Sequence, residues 1–100
     1  MQEAIEALSH PGRREMLRLV LDRELPVSDL ADRVGVSQPA ASQHLKVLRD
    51  AGLVRGRVDG QRRLYRADSE GLARLRAELD AYWRPALAAL KDAAEAGKRP

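Results

Sequence analysis

The sequence predicts a mainly α domain with a small β-hairpin, and three features of it point that way. Apolar residues recur at helical spacing through most of the chain, the pattern turns to period two only over Leu53–Arg66, and Gly35 and Gly52 stand where helices would have to stop. At 100 residues there is room for one core. Apolar residues make up 44% and charged residues 33%, but aromatics reach only 3%, with Tyr65, Tyr82 and Trp83 and no Phe. That core must therefore be built from Leu, Val and Ala. We expect one domain over residues 1–96 and a disordered tail over 97–100.

Taken in order, Gln2–Leu8 reads as a short helix with Ile5 and Leu8 three apart. Ser9-His10-Pro11 marks a stop and restart, with His10 as the cap of the second helix and Pro11 in its first turn. From Pro11 to about Arg23, the residues Met16, Leu17, Val20 and Leu21 form one apolar stripe. Leu25-Pro26-Val27 is a connector. Ser28 is expected to cap a third helix with Leu30, Ala31 and Val34 on its inner face, ended by Gly35. After Val36, Ser37 caps a fourth helix with Pro39 in its first turn, Ala41, Leu45 and Leu48 facing inward, and Gly52 as its stop. Two helices joined this tightly meet at a steep angle, which is a helix-turn-helix.

The period-two runs Leu53–Val58 and Gln61–Arg66 flank Asp59-Gly60, which favours a tight hairpin turn. A lone hairpin is marginal in water, so it should lean on the helices through Val54, Val58, Leu64 and Tyr65. A hairpin placed after the second helix of the turn makes a winged helix-turn-helix. Asp68 or Ser69 then caps a final helix running towards Ala96, with Leu72, Leu75, Leu79, Tyr82, Trp83, Ala86, Leu87 and Leu90 along one side. That helix could reach about 40 Å, more than so small a domain can cover, so part of its stripe lacks an internal partner. Pro85 should kink or break it near Trp83 and Arg84.

Composition removes several functions. With no Cys there is no disulfide, no thiolate zinc site and no Cys nucleophile. There is also no Gly-rich phosphate loop, no base paired with a nucleophile and no carboxylate cluster, so we expect neither an enzyme nor a cofactor. No apolar run approaches the roughly 18 to 20 residues that cross a bilayer, and no basic-then-hydrophobic leader opens the chain. A soluble, cytoplasmic protein without a membrane partner is expected.

The net charge of +3 is unevenly spread. Residues 1–50 carry 7 basic and 8 acidic side chains, whereas residues 51–100 carry 11 and 7. Within Leu53–Arg66, Arg55, Arg57, Arg62, Arg63 and Arg66 stand against Asp59 alone. A helix-turn-helix beside a basic hairpin suits double-stranded DNA, with the second helix in the major groove and the hairpin on phosphates or the minor groove. Gln38 and Gln43 can pair with adenine edges, Ser42 with a base or phosphate, and Ala40 with a thymine methyl. Ser37 suits a phosphate, and Lys46, Arg57, Arg62 and Arg63 would add affinity through counterion release. His44 either donates to DNA or sits partly buried.

The runs Leu8–Arg14, Val34–Leu48 and Ala51–Val54 resemble the ArsR/SmtB family of bacterial transcriptional repressors, over about residues 3 to 90. The resemblance implies a homodimer through the first and last helices that represses by covering a palindromic operator. It often releases that operator when a ligand or metal binds. Ile5, Leu8, Leu75, Leu79, Tyr82, Trp83, Leu87 and Leu90 would form the dimer interface. The family's metal sensors carry Cys-x-Cys where this chain has Pro26 and Ser28. Others carry Asp-x-His and His-x-x-Glu where it has Asp80-Ala81-Tyr82 and no His beyond His44. These residues imply a repressor without the usual metal switch.

Two rival readings follow from the last helix. It could recruit a different protein, or it could form a small-molecule pocket near Trp83 and Pro85. Any inducer, small molecule or protein, stays unnamed by the sequence. Arg13, Arg14 and Arg18 are expected on a solvated outer face, and His10 and His44, 34 positions apart, do not make a metal site.

Overall fold

The structure is a computed structural model that describes residues 1–97. Five helices and three short strands follow one another as α1 (Gln2–Ala7), α2 (Pro11–Leu19), β1 (Leu25–Pro26), α3 (Val27–Val34), α4 (Gln38–Asp50), β2 (Val54–Asp59), β3 (Arg62–Ala67) and α5 (Ser69–Gly97). The mainly helical class with a small hairpin is what forms. The expected tail residues 98–100 lie outside the described residues.

The core sits where α2, α3, α4 and the base of the sheet meet. Met16, Val20, Leu30, Leu45, Leu48, Leu53 and Val54 are its largest fully buried side chains. Ala31 and Ala41 are buried between α3 and α4, where the absence of bulk lets the two helices approach. Gly35 turns the chain between them at φ 79°, a left-handed conformation that favours glycine. Ser37 caps α4, its hydroxyl accepting from the Ala40 amide at 3.2 Å, and His10 caps α2, its Nδ1 accepting from the Gly12 amide at 3.0 Å. Asp68 does the same for α5 through Gly71 at 3.1 Å.

Several expectations need correction. Leu25-Pro26 is a strand rather than a connector, for it pairs with Tyr65 and Leu64 and makes the sheet three-stranded in the order β1-β3-β2. Two residues of extended chain carry too little periodicity to show in a sequence. Ser28 does not cap α3, which begins one residue earlier with Pro26 at the cap position and no side-chain cap. The hairpin turns at Gly60-Gln61, because Asp59 pairs with Arg62. Gly60 alone takes positive φ (63°), the pattern of a turn whose first central residue is glycine. Val58 lies beyond the helices and is exposed, whereas Val54, Leu64 and Tyr65 are buried. Helix α2 stops at Leu19, and Leu21 beyond it is exposed.

Helix α5 runs unbroken through Pro85. The ring removes one hydrogen bond, but the carbonyl it frees belongs to exposed Ala81 and can be hydrated, so no break is forced. Only Gly71 of this helix is buried. Its distal part stands clear of the core and gives the molecule extents of 68 × 26 × 21 Å.

Candidate nucleic-acid interface

Helix α4 is built with two unlike sides. Ala41, Leu45 and Leu48 hold it to the core, and this fixes Gln38, Ser42, Gln43 and Lys46 on the exposed side. Ser37 is exposed at its N-terminus, while Ala40 and His44 are half-buried along the edge. Burial of Ala40 limits it to offering its methyl edge.

The wing closes one side of this helix. An open cleft of 290 Å³ is lined by Ser28 at the start of α3, Gln38 and Ser42 of α4, and Gln61, Arg62 and Arg63 at the hairpin tip. A second cleft of 380 Å³ is lined by Ser42, Lys46, Arg49, Arg63 and Tyr65. Ser42 and Arg63 thus line both, and the two clefts join the helix edge to the wing. Among the described residues, no ion pair uses Lys46, Arg62 or Arg63. Their charge is available to a phosphate backbone.

Arg57 is placed differently from Arg62 and Arg63. Both its Nε and its Nη2 donate to the Glu24 carboxylate, at 2.8 and 2.6 Å, and it lines neither α4 cleft. The pair holds Glu24 below the usual carboxylate range, chiefly through the hydrogen bond from Arg57. Sequence reasoning grouped the wing arginines by charge. Strand register separates Arg57 from Arg63, because Arg57 shares a face with Leu64 and Arg63 the other with Val58; Arg62 is on the Arg57 side by register but stands at the hairpin tip, where it lines the first α4 cleft. Arg49 and Ser28 were absent from the candidate set and do line the clefts; only the fold brings them beside the wing.

His44 lies at the joint of three helices. Its ring is 4.5 Å from that of His10, centroid to centroid, and its Nδ1 is 3.4 Å from Nη1 of Arg13. Burial, reinforced by the charges of His10 and Arg13, pushes its pKa below the ordinary histidine value. Arg13 is therefore not a solvated outer-face residue: it donates to the Ala7 carbonyl at 2.6 Å and the Glu6 carbonyl at 3.3 Å, and Arg14 donates to that of Leu8 at 2.8 Å. Together they bond carbonyls at the C-terminal end of α1, of which that of Glu6 also accepts from Ser9. Arg18 pairs with Glu15 on the surface.

His10 and His44 meet in space, but among the described residues no group of three or more His, Cys, Asp or Glu could hold an ion. Pro26 offers no ligand atom and Tyr82 is an exposed phenol on α5. Among the described residues, no helix is long and apolar enough to cross a membrane.

The residues named for pairing fall into two groups. Leu8 and Leu75 pack partly on the core and Leu79 is half-buried. Ile5, Tyr82, Trp83, Leu87 and Leu90 are at least half exposed, large apolar side chains on the surface of α1 and α5. Tyr82 and Trp83 stack edge to face at 5.8 Å.

Comparison with known proteins agrees with this geometry. The model of the bacterial regulatory protein arsR family matches residues 10–55. The chain is 46% identical to the HTH-type transcriptional regulator Rv2034 of Mycobacterium tuberculosis, over 84% of this chain and 78% of that protein. It is 37% identical to the HTH-type transcriptional repressor SmtB of the same organism over 73% of its length, but spans only 54% of SmtB. A possible transcriptional regulator for arsenical resistance superposes with a TM-score of 0.74 at 44% identity, covering 81% of this chain and 84% of that one. A homodimeric winged helix-turn-helix DNA-binding domain from Mycobacterium bovis, a possible ArsR-family transcriptional regulator, gives 0.68 at 31% identity, covering 86% and 80%.

Proposed function

Because the chain belongs to the ArsR family of bacterial regulatory proteins, we propose that it regulates transcription by binding a palindromic operator as a homodimer, and that it represses. Residues 1–96 act as one unit in this reading. Helix α4 of each copy enters the major groove, where Gln38, Ser42 and Gln43 meet base edges and Ala40 a thymine methyl. Ser37, Lys46, Arg62 and Arg63 meet phosphates, with His44 at the edge of the contact.

One observation carries the reading: an exposed polar helix edge and two arginines that form no ion pair among the described residues converge on shared clefts. Pairing is supported by the exposed apolar surface of α1 and α5 and by the homodimeric neighbour. A two-fold axis would set the two α4 helices about 34 Å apart, one turn of the duplex. Arg57 contributes less than Arg62 and Arg63, since Glu24 already occupies its fork. Switching by a metal at the family's usual positions is not part of this proposal, given the donor set above.

The test is titration of a fluorescent duplex, selected from bound genomic fragments, and of a scrambled duplex. Gln43→Ala should weaken the selected duplex and leave the scrambled one nearly unchanged. Arg62→Ala should weaken both and flatten the salt dependence by about one phosphate contact. If both variants bind the selected duplex as the parent does, the assigned face is wrong.

A further inference from the structure

The cleft of 380 Å³ between α4 and β3 is lined by Ser42, Lys46, Arg49, Arg63 and Tyr65. Ser42, Lys46 and Arg49 follow one another four and three residues apart along one side of α4, and Arg63 and Tyr65 stand two apart on one face of β3. Three cations therefore meet across the cleft, and among the described residues no carboxylate lines it. The acids of this neighbourhood lie elsewhere. Asp50 comes within 3.5 Å of Arg49 but lines the cleft between α4 and α1, with Glu3 and Glu6, and Asp59 stands on the Arg57 face of the wing rather than the Arg63 face. Setting Asp50 against Arg49 leaves the charges of Lys46 and Arg63, which no ion pair uses among the described residues.

Tyr65 adds a donor that the fold has not used. Only 3% of it is exposed, and its ring lies so close to Gly56 of β2 that a Cβ there would fall 2.8 Å from a ring carbon. Among the described residues, no side-chain hydrogen bond uses its hydroxyl, and no sealed-off polar side-chain atom lacks a partner. The hydroxyl is therefore neither bonded nor sealed off, and the cleft is the opening that Tyr65 lines. A tyrosine held this deeply ordinarily spends its hydroxyl on a partner. Here that partner has to come from outside, into a cleft with two uncompensated cations.

We infer that this cleft seats one phosphoryl group, gripped by Lys46, Arg49 and Arg63 and accepting a hydrogen bond from the Tyr65 hydroxyl. The seat deepens the reading of α4 as a DNA-facing helix and rests on it. The cleft shares Ser42 and Arg63 with the one at the hairpin tip, so a strand that follows the helix edge lays a phosphodiester in it. Arg49 and Tyr65 then join the residues that touch the backbone, Tyr65 as a donor without charge.

The test uses the intact chain with the selected and scrambled duplexes. Tyr65→Phe, which keeps the ring on Gly56, should weaken both about tenfold without changing the salt slope, since it removes a hydrogen bond and no charge. Arg49→Gln should weaken both and lower the slope by about one contact. Arg49 is exposed, so its variant keeps the fold whatever Tyr65→Phe does, and circular dichroism checks both. Replacing one phosphate at a time by neutral methylphosphonate should then find one position per half-site where the parent loses affinity and Tyr65→Phe loses little more. Equal loss from Tyr65→Phe at every position marks a merely structural role and overturns the seat. If Gln43→Ala loses the selected duplex while Tyr65→Phe and Arg49→Gln bind as the parent does, the seat is wrong and the reading of α4 stands. A parent that binds neither duplex overturns both. Saturable binding of pyrophosphate to the free protein, with duplex affinity indifferent to Tyr65→Phe, assigns the cleft to a free phosphorylated molecule and overturns its place on the backbone.

Discussion

Replacing Gly71 by alanine should destabilise this protein more than a change of one methyl group suggests. Gly71 lies in the first turn of α5, where the helix passes against the backbone of the turn after α4. A Cβ there would overlap the Gly52 carbonyl oxygen and lie 2.8 Å from its carbonyl carbon, whereas ordinary contacts begin at 3.4 Å. Gly52 itself is held at φ 79° by the turn, and its amide is bonded to the Arg49 carbonyl at 2.9 Å. No side-chain rotation relieves a clash between two main chains. The helix must move away by on the order of an ångström, opening a close-packed seam. We expect a loss of about 3 kcal/mol, the upper end of overpacking costs, or more. For a domain of this size that lowers the melting temperature by roughly 12 °C or more.

The assay is urea and thermal denaturation followed by helix signal, at one protein concentration because pairing would couple to stability. Gly97→Ala is the control, since a Cβ there meets nothing within 4 Å. It should leave stability unchanged or raise it by up to about 1 kcal/mol. If Gly71→Ala falls within about 0.5 kcal/mol of the parent, the close approach of α5 to Gly52 is wrong.

Other substitutions test other parts of the structure. Ser37→Ala removes the acceptor for the Ala40 amide and should cost about 1 kcal/mol of stability, read from the urea midpoint. Leu87→Glu places a charge on the exposed apolar surface of α5 without touching the core; light scattering should show monomers with unchanged circular dichroism, and a retained dimer would remove this surface from the interface. The lowered His44 pKa makes the folded state bind this proton less readily than the unfolded chain, whose histidine titrates near 6.5. The stability it contributes is therefore full above that value and is lost as pH falls through the lower folded value. Urea midpoints between about pH 8 and pH 5 should fall less steeply for His44→Gln than for the parent.

What the sequence by itself determined are the features that act over a few residues. The inward triplet Ala41, Leu45 and Leu48 follows from helical spacing, and the stops at Gly35 and Gly52 follow from the conformation glycine alone adopts cheaply. His10, Ser37 and Asp68 cap neighbours two or three residues away, so their roles were legible too. The exposed polar edge of α4 follows from the same periodicity that buries its other side.

The tertiary structure decided everything that depends on residues far apart in the chain. Leu25-Pro26 becomes a strand only because β3 offers it a free edge, and Arg57 turns to Glu24 because the register sets its face, 33 positions away. His44 loses proton affinity because packing partly buries it and the start of α2 brings His10 and Arg13 against it. Gly71 must be glycine because of a carbonyl in another turn. Local pattern fixes which way a side chain faces along its own element. What it then meets depends on how the elements close on one another, and that is settled by packing the whole core at once.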